Sequence, residues 1–120
     1  MNPQELHNML GALVSNCPAL EKVCETWGNQ HMLTIAMEEN AELIQAISKI
    51  KRNGLDPFNA SHLVEEVADV LICICELYVM GYLDVYEISE IIESKVERSM
   101  RRTQDYIYEL QEEASCNGEF

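Results

Sequence analysis

The stretch Asn29–Arg52, NQHMLTIAMEENAELIQAISKIKR, decides how this chain folds. Its apolar residues Leu33, Ala36, Met37, Ile44, Ile47 and Ile50 recur at the helical period, and the Asn53-Gly54 pair that follows supplies a stop. A long helix with an apolar stripe buries that stripe against a neighbour, and the flanking sequence offers further helices. Downstream, Leu55-Asp56-Pro57-Phe58-Asn59 reads as a loop, with Asn59 or Ser61 as the N-cap of a second long helix. That helix carries Leu63, Val67, Val70, Leu71, Ile74, Leu77 and Tyr78, and Gly81 ends it. Asp84 and Glu87 have capping-box spacing, and Ile88, Ile91, Ile92 and Val96 give a third long helix that runs to about Glu112.

Upstream the elements are shorter. Asn2-Pro3 is a cap followed by a first helical position, and Leu6, Met9, Leu10, Leu13 and Val14 continue at helical spacing to about Asn16. Pro18 opens a second short helix carrying Leu20, Val23 and Cys24, which Gly28 closes. Residues 113–120 lack periodicity and read as a flexible acidic tail, leaving 1–112 as one domain. The expected architecture is an all-α helical bundle of two short N-terminal and three long helices. A helix hairpin with a third helix buries little of its own stripe, so the bundle is expected to be completed by oligomerisation, as a homodimer or homotetramer.

Composition agrees with helices and limits the partners. The chain has 120 residues, of which 48% are hydrophobic, enough for a core without disulfides, and only five glycines and three prolines interrupt it. Its 21 acidic and 8 basic residues give a net charge of −13, which repels nucleic-acid backbones and anionic membrane surfaces; neither is an expected partner. Charged residues break every apolar stretch well short of a membrane span. Cys17, Cys24, Cys73, Cys75 and Cys116 are odd in number, form no C-x-x-C pair and follow no secretory signal, so free thiols in a reducing cytoplasm are expected. Cys73 and Cys75 lie in an apolar run and read as small core residues.

Chemistry enters through carboxylates. Glu39 and Glu42 are three residues apart on one helix, and Glu66 and Asp69 repeat that spacing on the next. A short connection makes the two helices antiparallel neighbours, so four carboxylates can converge, and they cannot all ionise there without a counter-charge. All-oxygen ligands suit Mg²⁺, with Mn²⁺ as a substitute, better than zinc. The bland alternative is a set of solvated surface acids, since a single E-x-x-E is a weak signal. A di-iron bundle uses Glu-x-x-His pairs, and none of His7, His31 or His62 has a glutamate three residues before it.

The pattern Glu39-x-x-Glu42, a spacer of 23 residues, then Glu66-x-x-Asp69 resembles that of the MazG-type all-α nucleoside triphosphate pyrophosphohydrolases, over roughly Trp27 to Arg102. The resemblance implies that Mg²⁺ is bound by those four acids and that a nucleoside triphosphate is split between its α and β phosphates, giving monophosphate and pyrophosphate. It implies further that Glu38 and Glu39 take part in catalysis, Glu38 as a candidate to orient or deprotonate the water. Lys95-Val96-Glu97-Arg98 is similar to the K-x-x-R element that contacts phosphate in relatives, which assigns Lys95 and Arg98 to phosphate binding. Glu93 stands where relatives often carry asparagine, so fine substrate preference does not transfer. The expected chemistry is in-line attack of a metal-activated water on phosphorus, with one or two ions. Trp27 and His31, just before the acidic motif, are candidates to stack on or hydrogen-bond a nucleobase. The alternatives are a deoxynucleotide-specific dUTPase- or dCTPase-like relative, a phosphoribosyl-ATP pyrophosphatase relative, and a non-enzymatic helical interaction module.

Overall fold

The computed structural model describes residues 1–118, and all regular structure among them is helical: α1 (Pro3–Ser15), α2 (Cys17–Trp27), α3 (Asn29–Asn53), α4 (Pro57–Val79) and α5 (Val85–Cys116). The chain divides into two units, one from Met1 to Leu83 holding α1 to α4, the other beginning at Asp84 and holding α5. None of the five helices is long and apolar enough to cross a membrane.

Local chemistry sets the helix ends. The Asn2 side chain accepts from the Gln4 backbone N–H at 3.0 Å, and Pro3, which has no N–H to satisfy, takes the first helical position of α1. Between α2 and α3 the chain needs one residue at φ 86°, ψ 156°, a conformation essentially restricted to glycine, and Gly28 supplies it. The break is so tight that Gly28 both receives the end of α2 and precedes the first turn of α3.

The start of α4 departs from expectation. Its cap is Asp56, whose Oδ1 accepts from the Asn59 N–H at 2.7 Å; neither Asn59 nor Ser61 is the cap. Pro57 explains the shift: it is pre-set for the first helical position and forces the capping role onto the residue before it. Asn59 instead clasps the loop, donating through Nδ2 to the Gly54 carbonyl at 3.2 Å and to Asp56 Oδ2 at 3.3 Å. The connection from α3 to α4 is thereby reduced to Gly54, Leu55 and Asp56, and the two long helices run antiparallel.

The core of the first unit is built from small and slender residues. Its buried apolar residues are Met32, Ala36 and Ala46 of α3, Val70, Cys73 and Cys75 of α4, and Cys24 of α2. Cys73 and Cys75 are buried as expected, whereas the expected apolar stripe of α3 splits. Ala36 is buried, but Met37, Ile44 and Ile47 are 74%, 68% and 52% exposed. The reason is rotational: the buried side of α3 carries Ala36 and Ala46, with Glu39 and Glu42 meeting Glu66 of α4, which leaves the larger side chains facing outward.

In the second unit, Asp84 caps α5 by accepting from the N–H groups of Tyr86 and Glu87, each at 3.1 Å. The helix passes its expected end at Glu112 and continues to Cys116, with Asn117 as its C-cap. Residues 113–116 are therefore helical, and the last two positions of the expected tail, 119 and 120, lie outside the described residues. No residue of α5 is buried, although Ile88, Ile91, Ile92, Val96 and Met100 line one side of it.

Candidate metal centre

Spacings of three put Glu39 with Glu42 on one face of α3, and Glu66 with Asp69 on one face of α4. The antiparallel register then joins them crosswise. Glu39 lies against the charge of Asp69, and Glu42 against that of Glu66. The residue numbers of the two pairs add to the same total, as an antiparallel register requires. One ligand oxygen from each of Glu39, Glu42 and Glu66 falls within 4.8 Å of the others, a spacing that could surround a single cation. Asp69 adjoins this trio through Glu39.

The site is more enclosed than a surface patch. Glu66 is 5% exposed, Glu39 and Asp69 are half-buried, and only Glu42 opens to solvent. Oε2 of Glu39 and Oε2 of Glu66 are buried without a hydrogen-bond partner. Such orphaned acceptors are costly unless something with positive charge or donated protons meets them. The other oxygen of Glu66, Oε1, is held by His62 Nε2 at 3.2 Å, and the His62 ring stacks on Phe58 with centroids 6.4 Å apart. This contact was not expected from sequence. The signal available was the i, i+4 spacing of His62 and Glu66, which places them on one helical face.

Electrostatics register the crowding. Burial raises the Glu39 pKa first, followed by the charges of Asp69, Glu42 and Glu66. Glu66 is raised by burial first, then by the charges of Glu42 and Asp69, with His62 acting in the opposite sense. Cys73, on the same face of α4, has its thiol pushed up to about 11 by burial and by the neighbouring charges of Glu76, Glu39 and Asp69. A second acidic group, Glu76, lies farther along α4, 5% exposed, with its carboxyl also raised by burial.

The remaining sequence-derived positions fall elsewhere. Glu38 is exposed and stands outside the trio. Trp27 and His31 stack on each other across the Gly28 break, centroids 5.0 Å apart and planes inclined by 23°. Trp27 is 63% exposed, so it forms an open aromatic surface. Lys95 and Arg98 belong to the second unit, where their spacing puts them on one face of α5, both exposed. An open groove of about 420 Å³ lies between α1, α2 and α4, lined by residues such as Met9, Leu13, Leu20 and Leu71, and it contains no titratable group. Its chemistry is that of packing.

The donors can be tested against a cation. They are carboxylate oxygens from two rigid helices, two of them buried and without partners, and the nearest nitrogen ligand, His62, is engaged by Glu66. A hard divalent ion such as Mg²⁺ or Mn²⁺ fits that set; zinc, which prefers nitrogen and sulfur, does not. Compared with protein-family models, curated proteins and solved structures, the chain matches none.

Proposed function

We propose that this protein is a Mg²⁺-dependent nucleoside triphosphate pyrophosphohydrolase of the MazG type, which cleaves the α–β phosphoanhydride bond to release pyrophosphate and leave the monophosphate. The observation that supports it most is the meeting of Glu39, Glu42 and Glu66 oxygens within 4.8 Å, two of these residues carrying a buried oxygen with no partner. A solvated-surface reading of the same acids predicts outward-pointing, water-bonded carboxylates, and Glu66 at 5% exposure does not behave that way.

In this reading Glu39, Glu42, Glu66 and Asp69 hold the ion, and His62 orients Glu66 through its Oε1. Bound Mg²⁺ supplies charge neutralisation on the phosphates and lowers the pKa of a coordinated water. Glu38, exposed and adjacent to Glu39, is free to accept the water's proton at a carboxylate oxygen. Lys95 and Arg98 offer a two-point cationic contact for phosphate oxygens, and the Trp27–His31 stack offers a flat face for a nucleobase. The rigid backbone of α3 and α4 limits the protein's work to positioning.

The protein is further proposed to act as a homodimer or homotetramer. Met37, Ile44 and Ile47 leave a strongly exposed apolar strip on α3, and α5 alone carries the uncovered row Ile88, Ile91, Ile92, Val96 and Met100. A second copy of the chain is the occupant that brings matching strips of its own.

The test is a panel of nucleoside triphosphates with Mg²⁺, scoring monophosphate and pyrophosphate for each. Stoichiometric release of both from at least one nucleotide is expected, and including dUTP, dCTP and phosphoribosyl-ATP beside the ribonucleotides separates general, dUTPase-like, dCTPase-like and phosphoribosyl-ATP specificities. Release of inorganic phosphate and diphosphate nucleotide, or no turnover with any member, rejects the proposal and returns the chain to the class of interaction modules.

A further inference from the structure

Cys73 and Cys75 lie two residues apart on α4, so they point in different directions from the helix, and their surroundings differ accordingly. Cys73 looks toward the acidic seam, whereas Cys75 meets Cys17, the first residue of α2. The Sγ atoms of Cys17 and Cys75 are 2.9 Å apart although the residues are 58 positions apart in sequence, and both are free thiols. A disulfide has its sulfurs about 2.05 Å apart, so less than about 1 Å of approach is required.

We propose that Cys17 and Cys75 form a peroxide-responsive disulfide that fastens α2 to α4. Access favours Cys17 as the residue oxidised first. It is half-buried and lines an open cleft of about 360 Å³ together with Pro18, Glu21, Tyr78 and Val79, while Cys75 is only 6% exposed. Burial, contact with Cys17 and the charge of Glu76 also raise the Cys75 thiol pKa, which keeps Cys75 protonated and unreactive until its partner changes.

The chemistry balances with a hydroperoxide as the oxidant. The Cys17 thiolate attacks one peroxide oxygen, the O–O bond breaks, and with hydrogen peroxide the leaving hydroxide becomes water, giving Cys17 sulfenic acid. Cys75 sulfur then attacks Cys17 sulfur, the S–O bond breaks, and a second water leaves with the Cys75 proton as the S–S bond forms. Two thiols lose one electron each and the peroxide gains two; a small dithiol reverses the result by exchange. The closed ring runs from residue 17 to residue 75 and contains Glu39, Glu42, Glu66 and Asp69, so oxidation restrains the unfolded chain around the whole acidic site. The proposal does not depend on the metal reading.

The experiment uses the full chain with Cys116→Ser, which removes the one exposed thiol that could pair between molecules. After treatment with stoichiometric hydrogen peroxide, peptide mapping is expected to show a Cys17–Cys75 cross-link, absent when Cys17→Ser is added. The melting temperature of the oxidised protein is expected to rise by more than about 5 °C and to fall back with dithiothreitol. Oxidation that stops at Cys17 sulfenic or sulfinic acid, a cross-link through Cys24 or Cys73, or unreacted thiols each overturns the proposal. Because the variant carrying Cys17→Ser changes a half-buried position only, its folding by circular dichroism separates a missing cross-link from a missing fold.

Discussion

Glu66 Oε2 on α4 and Glu39 Oε2 on α3 lie buried on the same helix seam, and neither has a hydrogen-bond partner. Two such acceptors facing one seam store unfavourable free energy that a cation would relieve only in the folded state. Adding Mg²⁺ is therefore expected to raise the melting temperature, since a ligand present at a hundredfold excess over its Kd stabilises by about 2.7 kcal/mol. For a domain of this size that is a shift on the order of 10 °C. Thermal unfolding monitored with and without Mg²⁺ or Mn²⁺ reads it directly, and identical curves would remove the ion from the site.

Ligand substitutions separate chemistry from folding. Glu39→Gln and Asp69→Asn preserve size while removing a charge from a crowded pair, so the helical circular-dichroism signal is expected to stay and the fold to be at least as stable. Turnover should fall by more than about a hundredfold, beyond the roughly 10–100-fold that losing a ligand's hydrogen-bond partner costs in metal sites. Glu38→Gln, in contrast, should lower kcat while leaving the Mg²⁺-induced melting shift unchanged, because Glu38 stands outside the trio. A variant at Glu39 or Asp69 that turns over normally takes that residue out of the centre.

The helices and the acidic pairs were legible in the sequence because both depend on spacing along a single helix. Five helices follow from periodicity and from Gly28, Gly54 and Gly81, whose backbone angles lie in the left-handed half of the map. Crosswise pairing of Glu39 with Asp69 and Glu42 with Glu66 needed the antiparallel register, which the short loop implied. What sequence did not carry was rotation about the helix axis. Met37, Ile44 and Ile47 obey the same period as Ala36, and only the packed structure shows which of them turns inward. The Cys17–Cys75 contact was silent because it is a long-range juxtaposition, whereas the i, i+4 spacing of His62 and Glu66 put them on one face without fixing which oxygen meets the ring.

Ala46 ties the packing to the site. It is 1% exposed, the most enclosed of the buried core residues, and it sits one turn along α3 from Glu42, level with His62 in the α3–α4 register. Enlarging it to leucine inserts side-chain volume at the most enclosed of the buried apolar positions. Ala46→Leu is expected to cost about 1–3 kcal/mol of stability, measured by denaturant unfolding. It should also weaken Mg²⁺ binding by separating Glu42 from Glu66, whereas Ala41→Leu, on an exposed position of the same helix, should do neither. Equal behaviour of the two variants would show that the helix separation does not set the carboxylate geometry.

The pH dependence of stability follows from the direction of the carboxyl shifts. Glu39, Glu66 and Glu76 are all raised above the usual value of 4.5, by burial in each case and by neighbouring acids in the first two. Between that value and the raised ones the folded protein binds more protons than the unfolded chain, so stability must fall as pH rises. The stabilising contribution is complete below pH 4.5 and is lost as pH climbs through the raised values. The net charge of −13 adds repulsion of the same sign, so the slope alone does not identify these groups. Two differences do. Glu66→Gln should flatten the decline in melting temperature across this window, and Glu76→Gln should flatten it independently, because Glu76 has burial as its only cause of shift. Saturating Mg²⁺ should flatten the Glu39 and Glu66 part and leave the Glu76 part in place, since ionised carboxylates are the form the cation binds. Melting curves at several pH values for the wild type and both variants, with and without Mg²⁺, measure each part; a wild-type slope unchanged by Glu66→Gln would mean that the carboxyl of Glu66 ionises as readily in the folded seam as in the unfolded chain.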